Sequence, residues 1–314
     1  MTLARPLRHD RPGARRAWAL ALGCTCTGGL ALAFGCDRAP SAPAPARAES
    51  EPRIVALGPA IARTLADAGH QDNLVGRHAF DLWTDDSIPV CGDQGGVDYE
   101  ALLAARPTHV LLQWGRRELP PRLERLARQR GWIVRNDPLL SLDEVTASCD
   151  ELWRMFEGSV GAPPSERMAR ALDGARIDPA RVGRVLLLAG VRPPTALGPG
   201  SYHHDMLVRL GARPALERGA PYVTLDAEDL LRLAPEAIVL VQPRWGVASP
   251  PGSEPRLLSP DEARARLGRL GRLDLPALRE GRVAVIDDPM AFVPGSNLVN
   301  VAAALRDQLE AWSR

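Results

Sequence analysis

The chain predicts an α/β protein of two lobes with mainly parallel sheets, and three observations carry that expectation. Short apolar runs alternate with amphipathic stretches from Arg53 to Trp132. The same alternation restarts at Val182, and the segment between, Leu142 to Ile177, reads as helix. Of the 314 residues, 45% belong to the AVILMFWYC set, ample for packed cores, and at about 100–200 residues per domain the length accommodates two lobes.

Composition excludes several function classes. The 39 basic and 38 acidic residues nearly cancel, to a net charge of +1, so nothing points to nucleic acid as a partner. Every basic residue is Arg, and a chain without Lys has neither Schiff-base nor P-loop chemistry. No Ser/His/Asp or Cys/His set with nucleophile spacing stands out, so no catalytic residue is assigned and the chain is not read as an enzyme.

The N-terminus reads as an address. Arg5, Arg8, Arg11, Arg15 and Arg16 form a positive region before the apolar run Ala17–Gly35, so residues 1–35 are expected to be a signal peptide. Leu32-Ala33-Phe34-Gly35-Cys36 resembles a bacterial lipobox, with Ala33 where Leu is usual, which makes Cys36 the expected lipidation site. Residues 36–52 then form a Pro/Ala tether. A cleaved soluble form and a retained anchor are the alternatives, and all three export the folded part to the periplasm or its membrane face. Cys91 and Cys149 are then the only body cysteines; two separate buried thiols are expected, with a disulfide as the alternative.

Residues 53–141 form the first lobe. Ile54–Leu57, Leu74–Gly76, Thr108–Leu112 and Trp132–Val134 read as strands, and Ala60–Ala68, Asp98–Ala105 and Pro120–Arg130 as helices. Residues 142–177 form a helical linker, broken at Gly161-Ala162-Pro163-Pro164. Residues 178–314 form the second lobe, with strands at Val182–Ala189, Ala237–Val241 and Val283–Ile286. Its helices are His204–Leu210, Asp226–Leu233 and Leu298–Trp312. Tyr99–Leu112 and Ala227–Val241 share one order, acidic helix, Pro, buried strand, so the lobes echo each other and leave a cleft between them.

The order of Arg53–Pro59, Gly92–Val97, Tyr99–Leu112, Val185–Gly190, Gly198–Leu210 and Ala227–Val241 resembles the substrate-binding proteins of ABC importers that have a helical backbone, the receptors for cobalamin, haem and ferric siderophores. The likeness covers roughly residues 53–312. It implies two Rossmann-like lobes bridged by helix and a metal-chelate ligand, a corrinoid first, haem or a ferric siderophore second. It also implies an inner-membrane permease with its ATPase as partner, a monomeric receptor, and no intrinsic cofactor. A tethered sensor or scaffold without transport is the reading from a different class.

By that resemblance Pro59, Trp114, Pro193, Pro194 and Tyr222 line the cleft, just past predicted strand ends, where open α/β sheets bind ligands. Phe80 and Trp83 in the loop after Gly76, and Asp288 at the last strand end, join them. Glu100 and Glu228 open the equivalent helices and match the family's permease-docking carboxylates; the alternative is a favourable acid in a first helical turn. Gln94 stands where a Trp is usual, and Phe292 where an Arg is. Tyr202 and His203 are candidate iron ligands, against the alternative that Ser201 or the His pair caps a helix. His109 reads as a core histidine, and Asp85-Asp86 as a solvated turn or a cation site. Arg77, Arg116, Arg192 or Arg244 converging on the cleft would indicate an anionic chelate.

Overall fold

Ile54–Leu57 forms β1 as a continuous apolar run, every residue of it buried, as a central strand covered on both faces requires. This computed structural model describes residues 51–244 and 256–314, so the expected signal, Cys36 and most of the tether lie outside the described residues. Gly58 ends the strand and Pro59 opens α1 (Pro59–Asp67) at a position where its missing N–H costs nothing. There follow β2 (Leu74–His78), β3 (Val90–Asp93), β4 (Gly96–Val97), α2 (Tyr99–Ala105), β5 (His109–Leu112), α3 (Pro121–Arg130) and β6 (Ile133–Asn136). The sheet order is β4-β3-β2-β1-β5-β6, parallel except for β4. Chain order reverses direction across the sheet between β1 and β5, which makes their carboxyl ends the switch point.

The linker is two helices, α4 (Leu142–Met155) and α5 (Pro164–Leu172), followed by the single turn α6 (Pro179–Val182). Gly158 and Gly161 at positive φ, then Pro163-Pro164, divide α4 from α5. The second helix stops at Leu172, short of the expected linker end at Ile177, with Gly174 at positive φ just beyond. Ser141 and Glu144 close a capping box on α4. Val145 and Cys149 of α4 pack into the second lobe's core while Leu152 packs into the first's, so α4 spans both.

The second lobe contains β7 (Arg184–Val191), β8 (Pro194–Leu197), α7 (Tyr202–Arg209), β9 (Arg213–Pro214), β10 (Tyr222–Thr224), α8 (Ala227–Leu233) and β11 (Ala237–Val241). It is completed by β12 (Arg256–Leu257), α9 (Pro260–Leu267), α10 (Pro276–Arg279), β13 (Val283–Ile286) and α11 (Leu298–Ser313). The order is β10-β8-β7-β11-β13-β12, with β9 on β7; β7, β9, β11 and β13 are parallel and β8, β10 and β12 antiparallel additions. Both lobes are therefore α/β with largely parallel sheets, as the sequence predicts.

Candidate functional site

The lobes meet through the segments that leave two carboxyl ends. The loop after β13 lies against α1, the helix that leaves β1: the Ser296 hydroxyl donates to Asp67 Oδ2 at 2.6 Å and the Ser296 N–H to Thr64 Oγ1 at 3.2 Å. Arg63 pairs with Asp67 at 2.6 Å. Gly295 allows the approach, because a Cβ there would stand 2.8 Å from the Ala60 carbonyl oxygen. The loop after β13 thus runs along α1, from Ala60 in its first turn to Asp67 at its end, and packs the second lobe against the helix that leaves β1.

On the first lobe the strands' carboxyl ends carry Gly58-Pro59, His78 to Phe80, the β3–β4 turn, and Gln113 to Arg117, which together are the candidate mouth. Gly58 is needed where it is: a Cβ would sit 2.6 Å from that of Gln113. The Gln113 side-chain oxygen is buried without a hydrogen-bond partner. Pro59 is half-buried. Trp114 faces inward, 8% exposed, within the cluster of Leu57, Leu102 and Leu112. Its indole N–H donates to the Asp93 carbonyl at 3.1 Å, and the Arg117 guanidinium lies 4.8 Å over its ring. The ring is therefore a prop under the mouth with Arg117 on its face. Phe80, 68% exposed, is the open aromatic here. Beneath it His78 bonds Gln94 Oε1 at 2.8 Å and accepts the Phe80 N–H at 3.0 Å; burial holds its pKa down. Trp83 lines a separate cavity with Ala66 and Leu74, beside the amino end of β2.

On the second lobe Pro193 is exposed in the β7–β8 turn, and Pro194 lines a cavity of about 440 Å³ with Val191, Arg192, Arg269 and Leu270. Tyr202, His203 and Phe292 pack ring against ring in tilted pairs, with centroids 4.3 and 5.1 Å apart in succession and planes at 34° and 60°. Ser201 caps α7 by accepting the His204 N–H. The His203 ring is 1% exposed, with Nε2 2.9 Å from the Ala291 carbonyl and Nδ1 buried without a partner. Burial pushes its pKa down to about 4, so the ring is neutral at pH 7. Tyr202, 4% exposed, is held well above the usual tyrosine range by burial first, with the Tyr222 hydroxyl beside it adding to the effect. Tyr222 itself is half exposed. Asp288 is buried, accepts the Met290 N–H at 2.7 Å, and is raised by desolvation against the opposing charge of Arg63.

The structure thus puts His203 against the Ala291 carbonyl and Asp288 within reach of the Arg63 charge, beside the junction, with Tyr202 against His203; Pro59 opens α1, and Phe80, Pro193 and Tyr222 are exposed. Glu100 and Glu228 are exposed in the first turns of α2 and α8. Gln113, Arg117 and Arg269 were not singled out from sequence; a polar residue directly after an apolar strand, as at Gln113, is the signal available. Arg77 is tied to the Ile88 and Asp81 carbonyls and to Asp86, and Arg244 to Asp287 at 2.8 Å. Cys91 and Cys149 are separate buried thiols, pushed up to about 11 and about 12 by desolvation. Among the described residues no three His, Cys, Asp or Glu side chains gather to hold a metal, and no helix is long and apolar enough to cross a membrane.

No family model and no curated protein matches the chain. Solved structures do. The periplasmic haem-binding protein HutB of Vibrio cholerae is 19% identical, with 82% of this chain and 98% of that chain covered at a TM-score of 0.59. A periplasmic haem-binding protein from Pseudomonas aeruginosa is 22% identical over 83% of this chain and 94% of that chain, TM-score 0.57. The chain has the fold of these periplasmic binding proteins. The vitamin B12-binding BtuF of Vibrio cholerae shares it at 16% identity, covering 83% of this chain and 98% of that chain with a TM-score of 0.57. These binding-protein neighbours are of the kind the sequence resemblance named. They take haem as well as vitamin B12, so this fold does not favour a corrinoid over the other chelates.

Proposed function

We propose that the chain is an exported receptor that captures a metal chelate between its lobes and delivers it to an inner-membrane ABC permease and its ATPase. The observation that carries this reading is the packing of the loop after β13 against α1, the helix that leaves the β1 carboxyl end, which joins the two lobes beside a strand end where α/β sheets hold ligands. The fold shared with haem- and vitamin B12-binding proteins supports it. The receptor does no chemistry on its cargo. Lipid attachment at Cys36 and a monomeric state belong to the same proposal.

Among chelates, the free cations favour an acid-bearing one, haem or a ferric siderophore. Arg192 and Arg269 line the apolar-walled cavity at the end of β7, and Arg116 is exposed after β5 on the facing lobe. None of the three carries an ion pair among the described residues. Guanidinium forks match carboxylates and catecholates, whereas a corrinoid's amide rim needs no such charge. Titration with haemin, a ferric siderophore and cyanocobalamin tests this. Saturable binding of an acidic chelate, weakened at least tenfold by Arg192→Gln with Arg269→Gln, is expected. Cyanocobalamin binding alone would return the ligand to a corrinoid, and no binding by any chelate would contradict the receptor reading. Replacing Glu100 and Glu228 together by Arg should abolish uptake while binding persists; unchanged uptake would favour the sensor or scaffold.

A further inference from the structure

The first lobe has a second concavity, away from the mouth. A cavity of about 620 Å³ lies between the end of α1 and the β2–β3 loop, with Trp83, Leu74 and Ala66 in its wall and Asp72 and Asp85 on its lining. The loop that forms one side of it is pinned by charged groups facing inward. Asp81, 1% exposed, accepts from the Trp83 N–H at 3.1 Å, the Thr84 N–H at 3.2 Å and the Thr84 hydroxyl at 2.6 Å. Arg77, its side chain 13% exposed, donates to the Ile88 and Asp81 carbonyls, each at 3.0 Å. Turning a carboxylate and a guanidinium inward is costly unless both are satisfied, as here, and the result is a fixed loop. That fixed loop leaves a tryptophan 38% exposed beside the cavity instead of folding it into the core.

No basic residue is in the lining, and neither Asp72 nor Asp85 has an ion pair among the described residues. The nearby Arg77 makes its direct contact with Asp86, at 3.1 Å, while its charge also acts on Asp85 from outside the lining. We propose that this cavity is a binding site for an organic cation, an ammonium or amidinium group on an apolar body, with Trp83 and Leu74 contacting the body and Asp72 and Asp85 the charge. An aromatic face and two carboxylates act together on such a cation; Asp72 and Asp85 are solvent-exposed, so the charge pairing is modest and sensitive to salt and the aromatic and apolar wall supplies the rest. The site is separate from the chelate mouth and does not depend on the receptor reading.

The test compares benzamidine with its neutral isostere benzamide by calorimetric titration of the full-length protein. Saturable benzamidine binding is expected, at least tenfold tighter than benzamide, weakening as NaCl is raised. Asp72→Asn with Asp85→Asn should weaken it at least tenfold. Asn at position 85 can still accept the Ser87 N–H, 2.8 Å away in the wild type, so the turn is kept while the charge goes. Trp83→Leu should weaken it similarly, with an unchanged melting temperature certifying the fold. Equal affinity for the two compounds, no saturable binding of benzamidine, or binding indifferent to both variants would each overturn the proposal.

Discussion

The helix-turn-strand units of the two lobes are near copies, and they part company where the strands end. Asp98 caps α2 by accepting the Glu100 and Ala101 N–H groups, and Asp226 caps α8 in a capping box with Asp229. Leu102 and Leu230 occupy the same helical place at 0% and 1% exposure. Each helix ends on a non-glycine residue at positive φ, Arg106 at 48° and Ala234 at 40°, directly before Pro107 or Pro235. The proline in each case prevents the helix from continuing. A Gln follows each strand directly, Gln113 after β5 and Gln242 after β11, and there the likeness ends: Trp114-Gly115 comes next in one lobe, Pro243-Arg244 in the other. The scaffold is duplicated and the strand-end segments are not, and in the proposed receptor it is these differing segments that would select the ligand.

That comparison breaks most easily in the core. Leu102→Ala and Leu230→Ala should each cost about 2–5 kcal/mol in urea unfolding, by lost burial and a cavity. If one of the pair costs less than about 1 kcal/mol, the two units are not energetically equivalent.

A second contrast is acid stability. The unfolded chain protonates a histidine near pH 6.5, while folded His203 stays neutral down to about 4. Below pH 6.5 the unfolded state therefore binds more protons, and stability falls as pH drops through that window, by about 3 kcal/mol in full. His203→Gln should flatten the slope between pH 6.5 and 4. In the first lobe His78 is also lowered by burial, but its bond to Gln94 and the charges of Asp93 and Asp81 oppose the shift, so His78→Gln should change the slope less. Chemical denaturation across pH 4–7 reads both, and equal slopes would remove the distinction between the lobes.

The smallest effect lies in the caps. Asp98→Ala and Asp226→Ala should each cost about 1 kcal/mol, measured as a lowered melting temperature.

How much of this was legible in sequence follows from burial. Ala237–Val241 and Val283–Ile286 are strands with the bounds the sequence gives, because a central parallel strand is apolar on both faces. β8, β10 and the β3–β4 hairpin escaped because they are edge or antiparallel additions built from Pro, Thr, Tyr and Gly, with no continuous apolar run. For the site, a position just past a strand end locates a residue at the mouth but does not say which way its side chain turns. Trp114 turned into the core and Phe80 outward, and Trp83, only three residues beyond Phe80, lines a different cavity. The inward turn depends on Asp93 and Asn136, distant in sequence, which accept the indole and backbone N–H groups of Trp114.

The most direct test of the central claim is amide hydrogen exchange with and without the chelate that binds in titration. The account predicts slowed exchange at both strand-end sets together, 58–60 and 113–117 in the first lobe and 191–195 and 242–244 in the second. Slowing confined to one lobe, or centred on the loop around Trp83, would contradict a ligand held between the two mouths.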